Sequence, residues 1–109
     1  MRLKSAIWVS ALIRRLDGMG LAVAVVRRGD SDGGAVLLKH NRMGAGVRVL
    51  AQTRTRDGEP AWMAGTGPAA VGEDQADAYI GRALDRDPDL WVVEIEDPKG
   101  LFEPDEKII

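Results

Sequence analysis

The most regular alternation of apolar and polar positions lies between residues 87 and 97. Three apolar residues alternate with a set that becomes polar along its length: Trp91, Val93 and Ile95 against Val92, Glu94 and Glu96. This period of two predicts a strand with one apolar face. Pro88 ends the element before it, and the sequence Asp-Pro-Lys-Gly at residues 97–100 is typical of a turn. We expect the rest of the chain to cover the apolar face of this strand.

Two segments have helical spacing. The first runs from Ser5, a candidate N-cap, to about Asp17. It is apolar at so many positions that it is either buried on two sides or uses one side as a subunit interface, and its first turn is alternatively a short strand. The second runs from Glu73 to about Arg86 and has one apolar face. Its acidic start and basic end suit the helix dipole.

Four strands are predicted between these helices. Residues 21–28 are apolar at nearly every position through Val26, which predicts a central strand covered on both faces. Residues 35–39 form the return strand of a hairpin with a long loop. Residues 47–54 alternate cleanly, and Asp57-Gly58 is a hairpin signal that leads into a strand at residues 61–64. The segment therefore predicts an antiparallel meander.

The predicted fold class is α+β, with the element order α-β-β-β-β-α-β. About five strands form an antiparallel or mixed sheet that packs with two helices, on one face or on both. The last strand, reached through a helix, can run parallel to its neighbour. A length of 109 residues fits one domain, residues 1–109, and the polar residues 103–109 are expected to form a frayed tail.

Composition excludes several kinds of chemistry. The chain has no cysteine, which removes disulfides, thiolate nucleophiles and iron–sulfur clusters. A formal net charge of −2 gives no support to nucleic-acid binding. No apolar run approaches the roughly 18 residues that a membrane span requires. We expect a soluble, cytoplasmic protein without a cofactor or a metal ion, and without membrane association.

The loop at residues 29–34, Gly-Asp-Ser-Asp-Gly-Gly, is a candidate for ligand chemistry. Asp30 and Asp32 offer carboxylate oxygens to a hard cation, but the residues that follow do not continue the pattern of a calcium loop. The loop also lacks the Gly-Lys-Ser/Thr ending of a phosphate-binding P-loop. Asp and Gly are the residues that turns require, so turn chemistry is the favoured interpretation.

A candidate site for an anionic, phosphate-bearing metabolite combines basic residues with this loop and the single histidine: Arg27, Arg28, Asp30, Asp32 and His40. A second basic pair, at residues 14 and 15, converges on it if the first helix packs beside the first strand. In the simpler interpretation, which we favour, the arginines are solvated and His40 is exposed at the end of a strand.

Trp62 and Met63 form a candidate interaction surface, because an exposed Trp–Met pair on an edge strand is typical of a binding site. The first half of the chain is basic and residues 73–106 are mostly acidic, which suits self-association or a charged partner. We therefore favour a non-enzymatic binding or interaction module that forms a homodimer or binds a protein partner. The alternative is a small enzyme or ligand-binding domain that acts on an anionic metabolite.

Three segments resemble a known family: residues 2–15 (RLKSAIWVSALIRR), 26–39 (VRRGDSDGGAVLLK) and 87–97 (DPDLWVVEIED). They are similar to the small alphaproteobacterial family catalogued as domain of unknown function 1491. The resemblance spans nearly the whole chain, although residues 41–72 carry little of it. It implies a short, single-domain bacterial protein and supplies no catalytic residues.

Overall fold

The computed structural model describes residues 3–109. These residues form two α-helices and one six-stranded mixed sheet, in the chain order α1 (Ser5–Gly18), β1 (Ala22–Arg27), β2 (Val36–Asn41), β3 (Val47–Arg54), β4 (Pro60–Ala64), α2 (Glu73–Arg86), β5 (Trp91–Glu96) and β6 (Lys107–Ile108). The strand order across the sheet is β1-β5-β2-β3-β4-β6. The predicted fold class and element order are confirmed. The structure places a short sixth strand in the tail that we expected to fray.

β5 lies inside the sheet, antiparallel to β1 and parallel to β2. The predicted hairpin between β1 and β2 is therefore wrong, whereas β2, β3 and β4 do form an antiparallel meander. The loop at residues 29–34 and Ala35 after it bind the start of β5 and the residues before it, so β5 lies between β1 and β2. The Asp30 N–H donates to the Asp89 carbonyl over 3.0 Å, and the Trp91 N–H donates to the Ala35 carbonyl over 2.9 Å.

β1 is an edge strand, which corrects the prediction that it is central and covered on both faces. Val25 is 41% exposed and Val26 is 59% exposed. A continuous apolar run is common to buried strands, but it does not say which strands lie on either side. Within residues 3–109, β1 pairs with β5 on one side and with no strand on the other.

Each face of the sheet carries its own core. On the α1 face, apolar residues of α1 pack against the middle strands: Val9, Leu12 and Leu16 with Leu38, Leu50, Val93 and Ile95. On the α2 face, α2 packs on β2 and β3: Ala76, Ile80 and Ala83 with Leu37, Val49 and Val92. The helices thus cover opposite faces. Neither is long and apolar enough to cross a membrane, and this holds for all helices in residues 3–109.

The loop at residues 29–34 also supports the start of α1. Lys4 occupies the N-cap position, so the prediction of Ser5 as the N-cap is wrong. The N–H groups of Ser5 and Ala6 donate to the carbonyls of Asp32 and Ser31, and the Ser5 hydroxyl donates to the Gly34 carbonyl. Backbone carbonyls of the loop therefore satisfy N–H groups that a capping side chain would otherwise bind.

Candidate functional site

A cleft of about 1240 Å³ lies on the α1 face of the sheet, between the N-terminal turns of α1 and the β3–β4 hairpin. We call it the Trp8 cleft. One wall consists of residues 3 and 4, which precede α1, residues 5 and 8 of α1, and the adjacent residues 32–35. The opposite wall is the end of β3 with Gly58 and Pro60, and Glu106 of the tail lies at its border. The cleft lies beside the contact between Trp8 of α1 and Trp62 of β4, where α1 reaches the outer strands of this face.

Trp62 forms part of the floor of the Trp8 cleft and is 1% exposed. The prediction that Trp62 is exposed on an edge strand is therefore wrong. Its partner in β3 is Gln52, and its indole N–H donates to the Glu106 carboxylate over 2.9 Å. Met63 points to the other face and is 47% exposed. Trp62 is thus buried and Met63 is exposed on the other face, so the two do not form the expected Trp–Met surface.

Trp8 reaches into the cleft from α1. Its ring centroid lies 5.7 Å from that of Trp62, with the planes tilted by 49°, a favourable aromatic arrangement. Trp8 is partly buried and packs against the core of the α1 face. It therefore presents a positioned aromatic surface whose remaining exposed part borders the cleft.

The end of β3 lies along the cleft without a strand beside it. Within residues 3–109 the ladder between β2 and β3 ends at the pair Leu37 and Ala51. The next residue of β2, Val36, donates its N–H to the side-chain Oε1 of Gln52 over 2.9 Å instead of to a backbone carbonyl. β3 continues to Arg54, paired only with β4. On the side facing the cleft, the last residues of β3 therefore have an edge that no strand of residues 3–109 pairs with.

Charges of both signs surround the cleft. Lys4 and Asp32 form an exposed ion pair with 3.7 Å between Nζ and Oδ1. The Arg54 guanidinium donates to the Gly58 carbonyl, and Glu106 accepts from Trp62. Because basic and acidic groups are balanced, the cleft has no strong selectivity for an anion or a cation.

His40 lies outside the cleft, in a buried hydrogen-bonded link at the other end of β2. It is 2% exposed, so the prediction of an exposed histidine is wrong. Its Nε2 lies 2.8 Å from Asp97 Oδ2, and Arg48 Nε donates to its Nδ1 over 3.0 Å. Asp97 is 0% exposed and also accepts the N–H groups of Leu101 and Phe102. This link joins β2, β3 and the turn after β5.

The partners of His40 define its protonation. Arg48 can only donate, so Nδ1 accepts and Nε2 carries the hydrogen that Asp97 binds. Burial lowers the pKa of His40, the Asp97 hydrogen bond opposes this, and the charge of Arg48 lowers the pKa further. Burial acts to raise the pKa of Asp97, but its hydrogen bonds from Phe102, Leu101 and His40 lower it overall. Both ring nitrogens of His40 are occupied, so the imidazole stabilises the fold and does not face a ligand.

The stability of the protein is expected to fall as the pH decreases below the ordinary histidine pKa of 6.5. The folded-state pKa is lower, so between these two values the unfolded chain binds a proton that the folded chain does not. The stabilisation that depends on neutral His40 is fully present above pH 6.5. Below it, the free energy of unfolding falls by up to about 1.4 kcal/mol per pH unit. His40 is the only histidine in the chain. Urea unfolding at pH 7.5, 6.5 and 5.5 measures this slope.

The matched variant for this measurement is His40→Gln. It removes the titrating group, so its profile should be flatter between pH 7.5 and 5.5, whatever its absolute stability. A wild-type profile that is already flat over this range would show that His40 protonates equally well in the folded chain.

The other residues of the predicted metabolite site lie at the opposite end of β2 from His40. Arg27 donates to the Pro88 carbonyl over 3.0 Å, and the Arg28 guanidinium lies 5.1 Å from the centre of the Trp91 ring. Asp30 accepts the Gly33 N–H within its own turn, as the turn interpretation predicts. Asp32 alone borders the Trp8 cleft. The structure thus brings the arginines and the loop together, but not with His40.

The second basic pair lies apart from the first. Arg14 and Arg15 are at the end of α1 that precedes β1, whereas Arg27 and Arg28 follow the whole length of β1. Arg15 forms an ion pair with Asp105 of the tail instead. The four arginines therefore do not converge on one anion.

A second polar cluster lies on the α2 face, and the sequence interpretation missed it. Lys39 is 6% exposed and its Nζ lies 2.8 Å from both Glu73 and Asp77 of α2, with Glu94 at 3.8 Å. Burial opposes the charged form, but hydrogen bonds to Asp77 and Glu73 and the charge of Glu94 raise the pKa of Lys39 above its ordinary value. A permanently charged ammonium group is a poor nucleophile, so this cluster attaches the start of α2 to the sheet.

The sequence profile of one family, described as "Protein of unknown function (DUF1491)", matches residues 3–102. The chain belongs to the DUF1491 family. This confirms the resemblance seen in the sequence, and the matched segment includes all the elements except β6. Among curated proteins, no match was found.

Solved structures agree with this membership. The chain is similar to a DUF1491 family protein from Caulobacter crescentus solved by crystallography, with 40% identity and a TM-score of 0.87 over 99% of this chain and 100% of that one. An NMR structure of a DUF1491 family protein from the same organism gives 40% identity and a TM-score of 0.81, over 100% and 98% of the two chains. A solution structure from A. tumefaciens gives 29% identity and a TM-score of 0.73 over 88% and 86%.

Proposed function

We propose that this DUF1491 protein is a non-enzymatic binding module that holds an extended segment of a partner protein in the Trp8 cleft. The observation that carries the proposal is the juxtaposition of Trp8 with the uncovered end of β3 in one cleft. An aromatic side chain provides an anchor, and a strand edge provides backbone hydrogen bonds. These are the two elements that β-strand addition uses to bind a peptide.

The dimensions of the cleft favour a chain segment as its ligand. Pockets for small molecules enclose about 300–1,000 Å³. The Trp8 cleft, at about 1240 Å³, is larger and is bordered by a strand, a helix and the tail. Its balanced charges fit a peptide whose backbone pairs with β3 and whose apolar side chain covers Trp8.

The buried Trp62 supports the anchor role of Trp8. Trp62 is held by its hydrogen bond to Glu106 and by its strand, so Trp8 rests on a surface that does not need to reorganise. Binding to a preformed aromatic surface loses less conformational entropy than binding to a flexible one.

Binding is expected to depend on Trp8 and not on Met63. A phage-displayed library of random linear peptides would be selected on the wild-type protein, and the affinity of an enriched peptide measured by fluorescence polarisation. Trp8→Ala should weaken binding roughly 30-fold, which is the 2 kcal/mol typical of a hot-spot aromatic residue. Met63→Ala, which removes an exposed apolar side chain on the opposite face, should leave the affinity unchanged.

NMR amide shifts of the wild-type protein provide a second measurement that needs no variant to fold. Peptide addition should shift the signals of residues 52–54 and 33–34, which border the cleft. The proposal is overturned if no peptide is enriched, if enriched peptides bind Trp8→Ala as tightly as wild type, or if the shifts lie elsewhere.

A further inference from the structure

The two sides of the sheet differ in how well they are protected against pairing with another chain. On the side opposite β1, β4 begins with Pro60 and is covered by the two-residue strand β6, which pairs with Ala61 and Trp62. Proline and a covering segment are standard ways to prevent a strand edge from pairing with another chain. Within residues 3–109 the β1 edge has neither, and its residues 22–26 are only alanine and valine.

An edge strand that is apolar and exposed is a template for pairing. The first four residues of β1 are in regular register with β5, from Ala22 opposite Glu96 to Val25 opposite Val93. The irregularity in the strand comes later, between Val25 and Arg27. A regular run of small and apolar residues is therefore available on the outer side of β1.

We propose that β1 pairs antiparallel with β1 of a second copy of this chain, which joins two six-stranded sheets into one. The two-fold axis passes through Ala24. In such a pair, opposing residues must lie on the same face of the sheet. Ala24 of one protomer then lies opposite Ala24 of its partner, and Val23 lies opposite Val25. Ala22 lies opposite Arg27, because Val26 is the additional residue at the register shift in β1.

Charge complementarity selects the second copy as the partner. Ala22, Glu96 and Arg27 all lie on the α2 face, since Arg27 is in register with Val92 of the α2 core. In the proposed dimer Arg27 of one protomer opposes Ala22 of its partner, and Glu96 lies one strand further on. Two strand spacings are about 10 Å, which an arginine and a glutamate side chain reach together across a small alanine. Because of the two-fold symmetry, the dimer contains two such contacts between Arg27 and Glu96.

The accessibility of these groups is compatible with the contact. Ala22, Ala24, Arg27 and Glu96 are all exposed, and α2 packs on β2 and β3, away from β1. In the dimer, Arg27 gives up its hydrogen bond to the exposed Pro88 carbonyl and binds the Glu96 carboxylate of the second protomer instead.

Reciprocal charge reversal tests the dimer. Light scattering after size-exclusion chromatography of the wild-type protein should give twice the 11.8 kDa of one chain. Arg27→Glu and Glu96→Arg should each raise the dissociation constant at least tenfold, and the double variant should return it close to the wild-type value. Arg56→Glu, an exposed arginine in the β3–β4 turn, is the matched control and should have no effect.

Any of three results would overturn the proposal. One is a wild-type mass of a single chain at every concentration. The others are a dimer that the single reversals do not weaken and one in which the double variant is weaker than both. Since Arg27 and Glu96 are exposed, thermal melting should show that all variants are folded.

Discussion

Asp97→Ala is expected to destabilise the protein by about 3–5 kcal/mol, the cost of removing one partner from a buried charged network. Asp97 is fully buried and accepts three hydrogen bonds of 2.8 Å, from Leu101, Phe102 and His40. Alanine leaves these three donors without an acceptor. Because a domain of this size has about 5–15 kcal/mol of total stability, the variant should be close to unfolding at 37 °C. Urea unfolding at pH 7.5 measures the loss.

Asp32→Ala is the control for this variant. Asp32 is an exposed aspartate with a single long ion pair, and its replacement should change the free energy of unfolding by less than about 0.5 kcal/mol. A loss below 1 kcal/mol for Asp97→Ala would contradict the structural role of the link. The wild-type protein should also lose stability as the pH falls below 3.8, because the pKa of Asp97 is lower in the folded chain than in the unfolded one.

Gly29→Ala is expected to cost about 3 kcal/mol through overpacking. A Cβ at this position would meet the Asp89 carbonyl oxygen far inside van der Waals contact, and it would lie 2.6 Å from the carbonyl carbon of Leu90. Backbone atoms on both sides cannot move without separating the loop from β5. The bonds from Asp30 N–H to Asp89 and from the Trp91 indole to the Asp30 carbonyl would be lost with it.

Gly81→Ala provides a control with the opposite sign. Gly81 lies within α2, and apart from its own neighbours in the helix a Cβ there would meet no atom of the described residues within 4 Å. Alanine should therefore raise the stability by about 0.5–1 kcal/mol through its higher helix propensity. If Gly29→Ala left the thermal melting temperature unchanged or raised it, the close approach of Gly29 to β5 would not be a determinant of stability.

Local patterns predicted the elements of this fold well. The period of two in β5 and the apolar face of α2 depend on residues within one element, and both segments agree with the structure to within a residue or two. The turn signals at Asp57-Gly58 and at residues 97–100 also agree, with Gly58 and Gly100 at positive φ. The element order and the α+β class followed from these features.

Features that depend on distant neighbours were not predictable. β1 appeared central because its composition is that of a buried strand, but its position was decided by β5, which inserts where a hairpin partner was expected. His40 appeared exposed because its acceptor, Asp97, lies far along the chain. Trp62 alternates with Ala61 and Met63, and this pattern gives two faces without telling which one α1 and the tail cover.

The position of β5 also constrains how the chain acquires its fold during synthesis. β1 and β2 are synthesised before β5, the strand that lies between them in the sheet. Until β5 is made, β1 lacks the strand with which it pairs in residues 3–109, and the pairs Ala22–Glu96 and Val36–Trp91 must close long loops. Such non-local contacts slow folding, because loop-closure entropy is lost before they form. We therefore expect that nascent chains truncated before residue 91 cannot assemble the sheet.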